Sequence, residues 1–125
     1  FALYPDLFLT KEYWEEAMNM MIEKHGIKRF EVHTDDEVLA REFFGNIPVI
    51  HDIGINWRSM RYAKHAIIAN SSFFILPRWL KQAENYSEWL GPSEDVITIA
   101  PRYWGRRNTK VWSLPQNFYK RFKYI

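Results

Sequence analysis

The chain contains no cysteine. That absence excludes a disulfide framework, a thiolate zinc site and a thiol nucleophile. No apolar run approaches the roughly 18 residues that a membrane-spanning helix needs. Glycine is scarce, at 5 of 125 residues. None of it forms G-x-G-x-x-G, G-x-x-x-x-G-K-[ST] or G-x-S-x-G, so the common dinucleotide, P-loop and hydrolase-elbow readings lose their main support. His25, His33, His51 and His65 do not pair at metal-ligand spacing, and no H-E-x-x-H occurs. His33 and His51 each lie near a strand end and could face a cleft there. Acids are missing from residues 101–125, which hold seven lysines and arginines.

What is present fits one globular domain: 47% hydrophobic and 26% charged residues, with an aromatic share of 18%. The chain begins at Phe1 rather than Met, and its first residues read like a domain interior. We therefore expect a piece of a longer protein. Residues 1–100 carry 10 of the 17 basic residues and all 15 acids. Beyond them, Arg102, Arg106, Arg107, Lys110, Lys120, Arg121 and Lys123 alternate with aromatic side chains. Such a tail could hold nucleic acid or nucleotide phosphates, or cover the acidic remainder of its own chain. Charge patterning alone favours a solvated or intramolecular tail.

Along the chain, Thr10 reads as an N-cap, with Glu12 in the first helical turn. Trp14, Ala17, Met18, Met21 and Ile22 form one apolar helical stripe, ended by Gly26. Arg29 to His33 reads as a strand. Thr34 to Glu37 fits a capping box for a helix from Asp35 or Asp36 to about Phe44, burying Leu39 and Phe43. Pro48 to Ile50 begins a second strand, Asp52 to Gly54 a turn, and Trp57 to Lys64 a helix with Met60 inward. Ala66 to Ala69 reads as a strand covered on both faces. Asn70-Ser71-Ser72 leads into a helix reaching about Glu84, with Pro77 bending or delaying its first turn. Asn85 to Asp95 reads as a polar loop, and Val96 to Ala100 as the last strand.

Alternation of helix and strand implies a parallel sheet with helices on both faces. Ligands bind such sheets at the carboxyl ends of the strands. Thr34 to Asp36, Asp52 to Asn56, Asn70 to Ser72 and Pro101 to Trp104 are therefore the segments to inspect. Asn70-Ser71-Ser72-Phe73 joins a buried strand to a helix N-terminus, where free N–H groups and the helix dipole favour an anion. The serines could equally be caps alone. Asp35 and Asp36 could orient a sugar hydroxyl, although capping is the commoner use of such a pair.

Four of these segments also resemble a known family. They are Phe8 to Trp14 (Phe-Leu-Thr-Lys-Glu-Tyr-Trp), Val32-His33-Thr34-Asp35-Asp36, Lys64 to Phe73 (Lys-His-Ala-Ile-Ile-Ala-Asn-Ser-Ser-Phe), and Ile99-Ala100-Pro101-Arg102-Tyr103-Trp104. In that order they resemble the C-terminal domain of α-1,2-fucosyltransferases, which share a GT-B superfamily with α-1,6- and protein O-fucosyltransferases. The family carries an aromatic "-EYY-" helix, an "(S/T)DD" strand end, a "KH-x-I-I-x-NS(S/T)FS-W-W" strand and helix, and an "APxxW" strand end. Lys64 to Phe73 is the most specific match. The family's "H-x-R-R-x-D" motif is absent, Asn56 stands where the family usually has Asp, and Phe73 to Pro77 replaces its Ser-Trp-Trp-Gly pattern.

The resemblance implies an α/β, Rossmann-like three-layer sandwich with a mainly parallel sheet, the C-terminal half of a GT-B fold. Residues 1–104 would be the nucleotide-sugar-binding domain and 105–125 a basic, aromatic-rich extension. It implies fucose transfer from GDP-fucose to a glycan acceptor with inversion, no cofactor beyond the donor, and no metal. Asp35, Asp36, Asn56, Asn70, Ser71, Ser72 and Phe73 would bind the donor, and no catalytic residue is assigned. The diphosphate would rest on helix N–H groups, hydroxyls and arginine. This stretch alone is expected to be inactive. Two alternatives stand beside it: the same fold with another nucleotide sugar, and a non-catalytic Rossmann-like module whose basic tail engages nucleic acid or a protein, nucleic acid being the less expected partner. A microbial or viral source would imply a cytoplasmic or membrane-peripheral location.

Overall fold

Gly26 ends the first helix in the way its position predicts. Its backbone is left-handed at φ 66°, and its N–H donates to the Ile22 carbonyl. The computed structural model of the protein describes residues 9–69, 72–84, 86–87, 91–92, 96–101 and 122–125. Helix α1 (Lys11–His25) begins after Thr10, whose backbone is extended but whose hydroxyl makes no cap bond. Its buried residues are Tyr13, Ala17 and Met21, one row at i, i+4 and i+8. Ile22 is 48% exposed. The apolar stripe is thus rotated toward Tyr13, because a tyrosine ring buries well once its hydroxyl finds a partner.

Strand β1 (Val32–His33) pairs in parallel with β2 (Val49–Ile50), Val32 opposite Val49 and His33 opposite Ile50. Between them lies α2 (Glu37–Phe44), which buries Ala40, while Leu39 and Phe43 are only half-buried. Helix α3 (Ile53–Tyr62) starts four residues before the sequence suggests. Asp52-Ile53-Gly54 is not a free turn: Asp52 caps the helix, and Ile53 and Gly54 belong to its first turn.

Next come β3 (His65–Ile67) and α4 (Ser72–Glu84). The helix runs from Ser72 straight through Pro77, which falls in its second turn and delays nothing. The expected polar loop instead contains β4 (Tyr86–Ser87) and β5 (Gly91–Pro92), an antiparallel ribbon. β6 (Ile97–Ala100) is not the last strand. β7 (Lys123–Tyr124), within the basic extension, pairs parallel to it with Ile99 opposite Lys123.

The sheet order is β3-β6-β7, with β3 and β6 also parallel. All four residues of β6 are buried. Ile97 and Ile99 pack against Ala17 and Met21 of α1. Ala100, on the opposite face, shares a cluster with Ala66, Ile68, Ile75 of α4 and Phe122. Helices therefore cover both faces of this sheet, as the alternation predicts. Each of those isoleucines contributes about 1.5–3 kcal/mol of burial. The single sheet expected from the alternation is, however, divided: β1-β2 and β3-β6-β7 are separate. Four helices are present among the described residues, and none is long and apolar enough to cross a membrane.

Candidate functional site

The carboxyl end of β1 runs directly into the first of the sequence-selected segments. The Thr34 hydroxyl oxygen accepts the Asp36 amide at 2.9 Å, tightening the turn after the strand. Asp36 Oδ1 accepts the Leu39 amide at 3.0 Å, so Asp36, not Thr34, caps α2. The capping pair sits two residues later than the Ser/Thr-x-x-Glu pattern suggests, because Asp36 competes for the same helix start. Asp35 is exposed. After β2 the arrangement repeats, and Asp52 Oδ1 accepts the Ile55 amide at 2.9 Å. Three carboxylates thus stand at the ends of two parallel strands, and those of Asp36 and Asp52 each satisfy one otherwise unpaired helix N–H.

Asn56 joins the two halves of this site. It is 4% exposed. Its Nδ2 donates to the Thr34 carbonyl at 3.1 Å, and its Oδ1 lies 2.9 Å from His33 Nδ1. His33 Nε2 in turn lies 3.0 Å from Glu31 Oε1. The first turn of α3 is thereby pinned to the end of β1. His33 is enclosed, with 3% of its side chain exposed, whereas His51 is exposed.

The other wall follows β3. Ser72 opens α4, whose first turn carries no acid. Asn70 and Ser71 lie outside the described residues. Phe73 is half-buried, with Phe74 edge-on at 5.1 Å between ring centroids. Across the sheet, the Tyr13 hydroxyl donates to the Ile68 carbonyl at 2.6 Å, and the Ile99 carbonyl lies 3.4 Å away. Tyr13 therefore ties α1 to the ends of β3 and β6. The structure brings together Asp35, Asp36 and Asn56, and it sets Phe73 in the first turn of α4, after β3.

Behind the β3–α4 wall lies a polar network that the sequence did not disclose. Arg78 is fully buried. Its guanidinium donates to the Met60, Ala63 and Lys64 carbonyls at 3.0, 2.6 and 3.3 Å, and to Thr98 Oγ1 at 2.9 Å. The Thr98 hydroxyl donates to Gln82 Oε1, and Gln82 Nε2 to the Val96 carbonyl, each at 3.0 Å. Arg78 caps the C-terminal end of α3, where the helix dipole welcomes a cation. Loss of water pushes its pKa down to about 10, and the like charge of Arg61 acts in the same direction. Nearby, Arg61 pairs with Glu84. The signal available in sequence was weak: an arginine on an amphipathic helix ordinarily reads as solvated.

Among the described residues, no group of three His, Asp or Glu side chains could hold a metal ion. No protein-family profile matches the chain, and no solved structure matches it. The O-antigen biosynthesis glycosyltransferase WbnK of Escherichia coli is 28% identical over 110 residues, covering 82% of this chain and 33% of that protein. The chain thus spans about a third of the length of the curated relative it matches. This similarity supports a glycosyltransferase reading at the coarse level.

Proposed function

We propose that this chain is the donor-binding part of a metal-independent fucosyltransferase, which moves fucose from GDP-fucose to a glycan acceptor with inversion. The observation that carries the reading is the position of the motifs. Thr34-Asp35-Asp36 and the start of α4 both follow parallel strands, where α/β folds bind nucleotides. The similarity to a glycosyltransferase agrees with it at the coarser level.

In this proposal the diphosphate rests at the acid-free N-terminus of α4, with Asn70, Ser71 and Ser72 supplying donors and Phe73 flanking the sugar. Asp35 and Asp36 face the neutral hydroxyls of the donor, because carboxylates next to a diphosphate would repel it. Asn56 acts by holding the Thr34 turn, and hence the two aspartates, in place. The donor is the only small molecule the proposal requires.

Titration calorimetry on the whole polypeptide tests it. GDP and GDP-fucose should bind competitively, and UDP-sugars should not. No heat with any guanine nucleotide would sink the proposal, and binding of a uridine sugar alone would redirect it to another donor. Ser72→Ala should weaken GDP binding by about 1.5–3 kcal/mol, the range for a hydrogen bond to a charged group. Unchanged affinity would leave Ser72 no part in donor binding.

A further inference from the structure

The side chains that hold the Thr34 turn also determine where their hydrogens sit. Asn56 Nδ2 faces the Thr34 carbonyl at 3.1 Å, and a carbonyl can only accept. The amide therefore turns its oxygen toward His33, and His33 Nδ1, 2.9 Å away, must carry a hydrogen. On the far side of the ring, Nε2 lies 3.0 Å from Glu31 Oε1. An ionised carboxylate also only accepts, so this nitrogen needs a hydrogen too. Both bonds exist together only in the imidazolium. A neutral ring keeps one of them and sets a lone pair against the other oxygen, and the enclosed ring has little water to turn to.

The two partners are unequal. Asn56 is buried, and its amide cannot invert without placing its oxygen against the Thr34 carbonyl. The Glu31 side chain is 55% exposed and can swing into water. Loss of a proton therefore falls on Nε2 and releases Glu31. The bond to Asn56 survives as a neutral one, and charge-assisted hydrogen bonds are roughly twice as strong. We propose that His33 is a positioning residue that grips the Thr34-Asp35-Asp36 turn as an imidazolium, and that loss of its Nε2 proton frees Glu31 and loosens the turn. The effect passes on directly, because Thr34 Oγ1 accepts the Asp36 amide and Asp36 caps α2. Its use in donor binding rests on the fucosyltransferase reading; the grip itself does not. Arg29, Glu31 and His65 line one cavity with His33, to which α1 and α2 contribute only uncharged side chains. Asp35 and Asp36 follow His33 along the chain, Asp52 caps α3, and His51 follows Ile50, the β2 partner of His33. Histidines as a class change charge between about pH 5 and 8, so the test must separate His33 from His51 and His65.

The test uses the whole native polypeptide, isotope-labelled and free of nucleotide. Ring-nitrogen NMR spectra should show both His33 nitrogens protonated in acid, and the Nδ1–H tautomer alone after the step. Protection of the Thr34 and Asp36 amides, relative to their intrinsic rates, should fall about fivefold across that step. His33→Asn keeps a donor for Asn56 and has no second ring nitrogen, so its protection should show no step. Glu31→Gln offers Nε2 an acceptor or a donor as required, so its step should shrink. Because Glu31 is exposed, that variant tests the grip even where His33→Asn fails to fold. A ring held in one state across the range, a neutral Nε2–H tautomer, or an unchanged step in either variant would each overturn the proposal. So would an equal step at the Ile68 amide of the β3-β6 pair, the mark of a global titration. GDP titrations then separate the two readings. Affinity for GDP should fall about fivefold over the same step in the native protein and not in His33→Asn. GDP binding without that step removes His33 from donor positioning. No GDP binding at any pH sinks the donor reading and leaves the grip standing.

Discussion

The β3-β6-β7 sheet and the β1-β2 pair are both parallel, yet they are anchored in different ways. β6 is buried at every residue, and a guanidinium fastens the elements around it through four hydrogen bonds. β1 and β2 are half-buried, two residues each, and depend on Asn56, His33 and two aspartate caps. The β3-β6-β7 sheet is thus held by buried packing and a buried guanidinium, and the β1-β2 pair by polar contacts at its strand ends. Binding elements are drawn from the less stable parts of a fold because they must be able to move.

The largest effect should come from Arg78→Ala, which takes four hydrogen bonds from the Met60, Ala63 and Lys64 carbonyls and Thr98 and leaves a cavity where a fully buried side chain stood. A loss of about 4 kcal/mol is expected, read as a fall in the urea midpoint. A loss under about 1 kcal/mol would mean the network is not what holds α3, α4 and β6 together. Asn56→Ala should cost about 2 kcal/mol, because it orphans His33 Nδ1 and the Thr34 carbonyl. Its mark should be local, with faster amide exchange at 32–36 and none at β6. Equal acceleration in both sheets would erase the distinction drawn above. Tyr13→Phe removes one buried hydroxyl bond and should cost about 1 kcal/mol, this time in the β3-β6 sheet. Asp36→Ala should cost about 1 kcal/mol and fray α2 alone, visible in the exchange of the Leu39 amide.

The smallest effect belongs to the Arg61–Glu84 pair. Its hydrogen bond to Arg61 holds the Glu84 carboxyl below the usual range. A depressed carboxylate stabilises the fold above its unfolded pKa, and that gain vanishes as pH falls through the folded value. Glu84→Gln should therefore lower the melting temperature slightly at neutral pH and leave it unchanged in acid. Glu84 is exposed and Arg61 partly so, and salt screens the pair, so high ionic strength should shrink the difference further.

Sequence made most helices legible and misplaced their details for identifiable reasons. Gly26 marked the end of α1, because only a residue tolerant of positive φ fits there. The buried face was misread because Tyr13 counts as half-polar until Ile68 supplies its acceptor. Asp52-Ile53-Gly54 has turn chemistry and also cap chemistry, and the two are indistinguishable without the helix that follows. β7 was hidden by its basic neighbours, although Phe122 is buried in the core. At the site, Asp35, Asp36 and Asn56 could be selected by topology. The role of Asn56 as a strut could not, since it depends on His33 and Thr34 more than 20 positions earlier.

The parallel pairing of β7 also fixes where the end of this stretch emerges. Ile125 donates its N–H to the Ala100 carbonyl at 3.1 Å, at the same sheet edge where β3 and β6 finish. A fluorophore attached there would sit at the carboxyl ends of the β3-β6-β7 strands, where it would report on ligand binding if the proposed donor site is right. A deletion made for convenience at residue 121 would instead remove Phe122 from the core.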